Sequence, residues 1–337
     1  MSDLEARIAA YLAHRMPGAS GIVVDELARI YGGSSQETYR LRGCWQETGA
    51  AVEKRLILRR DAPAGLVVAE RDLEYNVYRA LAGQGIPAPE AHFLELDPKW
   101  LDRPFFIMDL MPGKPGNPFG EDPYEGHDDS VARQFWAVLG RLAALDHRKL
   151  GLTSLRNGEA GSGFWRLELD RWEGIIDAGE AVIEPIVRGA IRWLRRNPPA
   201  EPAKPAIVHG DYRSGNFLFT PDGHISAILD WEMCHIGDPL EDAAWGIDPF
   251  WPITRHLPLE AGLAEWQAAS GMQADRRSLN WWRLFSAVKA CAIWTTAEAA
   301  LASGESHEMV VALSGIRAGH FHRKTILALL REFGEIA

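Results

Sequence analysis

The stretch VHGDYRSGNFLFTPDGHISAILDWE, residues 208–232, decides how this chain is read. FLF and HISAIL read as two short strands, and Thr220-Pro221-Asp222-Gly223 between them supplies the Pro, Asp and Gly of a tight turn. The hairpin folds Asp230 back to the end where Asn216 begins, with Asp211 in the loop leading in. Two carboxylates and one amide oxygen are thereby gathered on one rim, while the strands themselves carry almost no charge.

Working outward, two regimes of pattern flank this element. Before it, residues 3–15 form an amphipathic helix with Leu4, Ile8, Tyr11 and Leu12 on one face. Three antiparallel strands are expected over 22–31, 36–43 and 51–60, broken by Gly32-Gly33 and Gly49, with 44–49 read as an insertion between strands. A helix follows over 66–82, with Leu73, Val77, Tyr78 and Leu81 inward and Gly83 as its stop. Then come the strand-like runs AHFLEL and RPFFIMDLM. PGKPGNPFGEDPYEG, residues 112–126, is dense in Pro and Gly and marks the boundary. Beyond it the pattern is helical, ending in helices near 239–246, 258–270, 277–303 and 306–332, with residues 199–205 linking into the hairpin region. The expected organisation is α+β with two lobes: a small antiparallel-sheet N-lobe with one main helix (1–111), and a larger, mostly helical C-lobe (112–337).

Composition narrows the partners. The 337 residues exceed one ordinary core. A hydrophobic content of 47% with 24% charged residues is that of a globular protein. A formal net charge of −10 argues against nucleic acid or an anionic membrane as the main partner. Cys44, Cys234 and Cys291 are odd in number and have no CxxC spacing, so a reducing cytoplasm is expected and a structural zinc site is not. No apolar run reads as membrane-spanning, and the expected assembly is a monomer or homodimer.

The chemistry follows from spacing. Asp211, four intervening residues and Asn216 match the His-x-Asp-x-x-x-x-Asn loop of kinases, with His209 in the histidine position and Asp230 in that of the Asp-Phe-Gly aspartate. Phosphoryl transfer needs this set: one carboxylate to orient an attacking hydroxyl, and oxygen ligands for Mg²⁺ at the nucleotide phosphates. The stretch resembles the aminoglycoside phosphotransferase/choline kinase-like family of the protein-kinase-like fold, whose hallmark is His-Gly-Asp-x-x-x-x-Asn followed by Ile/Leu-Asp-Trp-Glu. It is most similar to bacterial phosphotransferases related to the kinase-like domain attached to some acyl-CoA dehydrogenases. The likeness rests on residues 32–39, Ile57-Leu58-Arg59-Arg60, Leu73-Glu74-Tyr75, Ile86-Pro87-Ala88-Pro89 and Gly237-Asp238-Pro239-Leu240-Glu241-Asp242.

The resemblance implies an ATP- and Mg²⁺-dependent phosphotransferase acting on a hydroxyl of a small molecule. Asp211 would be the catalytic base, and Asn216 and Asp230 the metal ligands. Arg59 would stand where kinases keep a phosphate-binding lysine, paired with Glu74. Gly33, Ser34 and Ser35 would belong to the phosphate-covering loop; Met108, Asp109 and Met111 would belong to a hinge against adenine. Arg59 for lysine keeps the charge but prefers bidentate geometry. With the departures in the glycine loop, it leaves a nucleotide-binding pseudokinase as the alternative. Trp231, Glu232, Asp248 and Trp282 are candidate acceptor contacts, as is Trp245, although an aromatic run at helical spacing is more often core. His209 reads as a structural hydrogen-bonder to backbone near Asp230, and Asp238 and Asp242 as holders of the catalytic loop.

Overall fold

A computed structural model describes residues 3–30, 36–61, 71–117, 120–153, 155, 163–179, 183–251, 253–304 and 309–336. The chain divides into two compact units, Met1–Pro112 and Gly113–Ala337.

In the first unit, α1 (Asp3–Arg15) precedes the long strands β1 (Ala19–Ile30), β2 (Gln36–Glu47) and β3 (Ala50–Asp61). Next come α2 (Arg71–Leu81), β4 (Ala91–Glu95) and β5 (Phe105–Asp109). The sheet order is β1-β2-β3-β5-β4 and every neighbouring pair is antiparallel. Ile8, Tyr11 and Leu12 of α1 are buried against Leu41, Leu56, Leu58, Phe105 and Ile107 from the sheet, which accounts for the amphipathic spacing of the first helix.

The expected insertion at 44–49 is not one. β2 and β3 stay in register from Gln36↔Asp61 to Glu47↔Ala50. Thr48 and Gly49, with φ of 51° and 83°, close the hairpin as a two-residue turn. Positive φ at both central positions is the twist that fits a two-residue hairpin, so the strands continue to the turn. The expected loop at Gly33, Ser34 and Ser35, and the expected start of the second helix at 66, lie outside the described residues.

The second unit carries β6 (Lys114–Pro115), α3 (Asp128–Ala144), α4 (Phe164–Gly179) and α5 (Pro185–Arg196). Four short strands follow: β7 (Ala206–Val208), β8 (Phe217–Phe219), β9 (Ile225–Ile228) and β10 (His235–Gly237). The chain ends in α6 (Leu240–Gly246), α7 (Leu259–Ser270), α8 (Arg276–Ala302) and α9 (Met309–Glu332). β8 and β9 form the hairpin read from the sequence, with Phe217 opposite Ile228. Its turn is closed by Gly223 N–H donating to Thr220 O at 2.9 Å.

Among the described residues α8 is the one helix long and apolar enough to cross a membrane, contrary to the reading that no such run exists. It packs against α4, α5, α6 and α9, and it buries Lys289 together with Ala287, Val288 and Ala290. The core of this unit is built around it.

Candidate active site

Two short antiparallel elements bring the candidate residues together. In the first, β7 pairs with β10, Val208 opposite His235. The loop leaving β7 at His209 therefore runs beside the segment entering β10. In the second, the β8–β9 hairpin extends one residue past its ladder, with Leu229 N–H donating to Asn216 O at 2.8 Å. Asn216 thus lies opposite Leu229, and Asp230 is the next residue.

His209 joins the two elements. Its Nδ1 accepts the Asp211 N–H at 3.1 Å and its Nε2 contacts Leu229 O at 2.9 Å. A carbonyl can only accept, so the proton is on Nε2, and the fully buried imidazole bridges the loop to the residue before Asp230. Asp230 has φ 73° and ψ 59°, a left-handed conformation that turns the chain out of the hairpin into a 3₁₀ turn at Trp231–Met233.

Asp211 is held by three donors. Oδ1 accepts Arg213 Nε at 2.9 Å and Trp245 Nε1 at 2.7 Å, and Oδ2 accepts Asn216 Nδ2 at 2.5 Å. Asn216 Nδ2 also donates to Asp211 O at 2.9 Å. With its nitrogen committed to Asp211, the amide turns its oxygen the other way. An amide oxygen and the Asp230 carboxylate at one hairpin end are the hard oxygen donors that Mg²⁺ prefers.

The loop is fastened from behind by α6. Asp242, fully buried, accepts His209 N–H at 2.6 Å and Gly210 N–H at 2.9 Å. Burial pushes its carboxyl above the ordinary range, against the opposing pull of His209. Asp238 accepts Leu240 N–H at 2.9 Å and Trp282 Nε1 at 2.8 Å. Burial raises its pKa from 3.8 to about 6. Gly210 has φ +84°, and a Cβ there would lie 2.6 Å from Met233 O, so only glycine fits.

Two contributors escaped the sequence reading in whole or in part. Trp245, by sequence a candidate acceptor contact, spends its indole N–H on Asp211. Lys289, outside every sequence expectation, donates to Gly210 O and lies 3.2 Å from Glu241 Oε1. Glu241 also meets His235 Nε2 at 3.1 Å. Burial pushes the Glu241 carboxyl up, but His235 and Lys289 outweigh it and hold the group below the usual range. The available signal was a lone lysine in the apolar run LFSAVKACAIW.

Three of the expected acceptor contacts are core residues instead. Trp231 and Trp282 are fully buried, their indole N–H groups bonded to Ile228 O and to Asp238. Asp248 is buried, caps Phe250 N–H at 2.8 Å and lies 3.3 Å from His322 Nε2. Each satisfies a polar group inside the unit, which apolar surroundings demand. Glu232 is half-buried. A cavity of about 360 Å³ among α4, α5, α8 and α9 is lined by Cys291, Trp294 and Arg323, and its walls include none of Asp211, Asn216 or Asp230.

In the first unit, Arg59 Nη1 bonds Glu74 Oε1, with the two side chains 11% and 2% exposed. Glu74, a surface charge by helical pattern alone, is therefore interior. The expected hinge at 107–111 is mostly strand: β5 runs to Asp109, Asp109 N–H donates to Glu90 O at 3.0 Å, and Leu110 N–H donates to Arg55 O at 2.9 Å. Met108 is buried, and the Asp109 carboxylate lies 2.7 Å from His92 Nε2. Met111 follows the strand.

Residues 26–282 match the phosphotransferase enzyme family, and the chain belongs to it. Over 188 residues it is 30% identical to the acyl-CoA dehydrogenase family member 11 of Gallus gallus, a match covering 55% of this chain. The chain spans only 24% of the length of that relative. A crystal structure from Ralstonia eutropha, ascribed to an aminoglycoside phosphotransferase, superposes with a TM-score of 0.74 at 20% identity, covering 97% of this chain and 98% of the other. The ternary complex of a thermostable mutant of aminoglycoside phosphotransferase APH(4)-Ia with ADP and hygromycin B gives a TM-score of 0.59 at 17% identity, covering 96% and 98%. The fold is the protein-kinase-like α+β fold of these phosphotransferases.

Proposed function

We propose that this chain is an ATP- and Mg²⁺-dependent phosphotransferase that phosphorylates a hydroxyl group of a small molecule. The observation that carries the reading is the Asp211–Asn216 pair at the end of the hairpin that delivers Asp230. The base and one metal ligand are bonded to each other, Asn216 Nδ2 donating to both Asp211 Oδ2 and Asp211 O. Membership of the phosphotransferase enzyme family supports it, as does the bound ADP in a neighbour of the same fold.

In this reading Asp211 aligns the acceptor hydroxyl and takes its proton as the oxygen attacks the terminal phosphorus in line. Trp245, Arg213 and Asn216 keep the carboxylate in one orientation for that task. Asn216 and Asp230 would hold Mg²⁺, which when bound neutralises charge on the phosphates. Residues 1–111 would bind nucleotide through Arg59, braced by Glu74, with Gly33, Ser34, Ser35 and the Met108–Met111 segment as further contacts. Residues 112–337 would supply base, metal ligands and acceptor site.

A turnover screen of hydroxylated metabolites with Mg·ATP tests the reading. With an acceptor found, Asp211→Asn should lower kcat by about 10²-fold or more, with nucleotide affinity nearly unchanged. Asp230→Ala should abolish Mg²⁺-dependent nucleotide binding. Parental turnover in Asp211→Asn would refute the role given to that carboxylate. Nucleotide binding with no transfer to any acceptor would favour the pseudokinase.

A further inference from the structure

Asp211 has donors of two kinds. Arg213 and Asn216 lie within five positions of it in the chain. Trp245 reaches in from α6, across 34 positions of sequence, and ties the carboxylate to that helix. The peptide just before Asp211 is tied separately, since Gly210 N–H goes to Asp242 on α6 and Gly210 O accepts from Lys289 on α8.

Both ties meet at Lys289. Its ammonium lies 4.9 Å from the centre of the Trp245 ring and 5.3 Å from that of Trp172. A cation over an indole face is attracted by the ring quadrupole, and the attraction grows when water is excluded. Here water is excluded, because Lys289 is 1% exposed. A buried ammonium is expensive, and well-packed apolar residues in its place are often neutral or stabilising. Its position therefore calls for a reason other than stability, and the groups it touches supply one.

We propose that Lys289 and Trp245 act as one positioning unit. Lys289 anchors the Gly210 carbonyl and the Trp245 ring together, so that main chain and carboxylate of Asp211 are set by the same buried cation. Neither residue is a catalytic one, since each acts through Asp211. The kinetic part of this proposal rests on the phosphotransfer reading; the structural part does not.

The test is a double-mutant cycle with two readouts. Trp245→Phe keeps an aromatic face near Lys289 and removes the N–H together with the rest of the pyrrole ring. Lys289→Met removes the cation, and Lys289→Met with Glu241→Gln does so without leaving the acid partner charged. Hydrogen exchange of peptides spanning 209–216 should speed up by about tenfold in each variant, with peptides from the 217–228 hairpin unchanged. Combining Trp245→Phe with Lys289→Met should add little beyond the larger single effect, because the two share one function. In the kinase assay kcat should fall roughly 10- to 100-fold, the value of one hydrogen bond to a charged group. KM for Mg·ATP and acceptor should stay within about threefold. Effects that multiply independently, or a lowered Tm with loop exchange and kcat at parental values, would overturn the proposal. Coupled loosening of the loop in a parent that transfers no phosphate would keep the positioning unit and defeat the phosphotransfer reading.

Discussion

Asp242 gives the sharpest quantitative handle on how the loop is held. Its two oxygens each accept a backbone N–H, from His209 and from Gly210, at 2.6 and 2.9 Å. Asp242→Ala orphans both donors in a fully buried place, at about 1–3 kcal/mol each, so a loss of roughly 2–6 kcal/mol is expected. Asp242→Asn behaves differently. Its amide oxygen keeps one donor, its NH₂ faces the other, and the desolvation that raises the native carboxyl disappears with the charge. Roughly 1–2 kcal/mol is then expected, for one bond lost and one burial cost removed. In a unit of this size 1 kcal/mol corresponds to about 2–4 °C in Tm. Urea unfolding followed by tryptophan fluorescence, with exchange at 209–216 as a local probe, measures both variants. Equal losses in Asp242→Ala and Asp242→Asn, or an Asp242→Ala protein as stable as its parent, would refute the accounting.

Two further outcomes follow from the same geometry. Gly210 and Gly49 share nearly the same positive φ, +84° and +83°, but a Cβ at Gly210 meets Met233 O at 2.6 Å whereas one at Gly49 meets nothing within 4 Å. Gly49→Ala should therefore cost only the backbone strain, about 1–2 kcal/mol. Gly210→Ala should cost clearly more and suppress turnover, as thermal unfolding and kinase assay would record. Asp238, raised from 3.8 to about 6, binds its proton more tightly in the folded state. Its contribution to stability is accordingly full below pH 3.8 and declines as pH rises to about 6, by as much as about 3 kcal/mol. The difference between parent and Asp238→Asn unfolding free energies across that window should carry this slope, and a flat difference would contradict it.

Much of the molecule was legible from local spacing. The hairpin and its turn, the α1 face, the helices of the second unit and the conjunction of Asp211 with Asn216 all depend on residues within a few positions of one another. A two-residue turn or a helical period leaves its mark directly in the order of side chains. The structural roles expected of His209 and Asp242 match their bonds to Leu229 O and to the loop N–H groups, whereas Asp238 bonds Leu240 N–H and Trp282 rather than the loop it is expected to hold. The strand at 44–47 is hidden in the sequence because Thr48-Gly49 reads as the edge of a gap rather than as a two-residue turn.

What sequence could not decide was which polar group a distant side chain meets. Trp231, Trp245, Asp248 and Trp282 all looked like wall material for an acceptor. Packing sent three of them into the core and gave the fourth to Asp211. Lys289 stands 79 positions from the carbonyl it reaches, so no periodicity could connect them. The chemistry of the loop was set by short-range order, which the backbone hydrogen-bond pattern enforces residue by residue. Its orientation was set by helices α6 and α8, whose contacts exist only once the apolar faces around them have been buried.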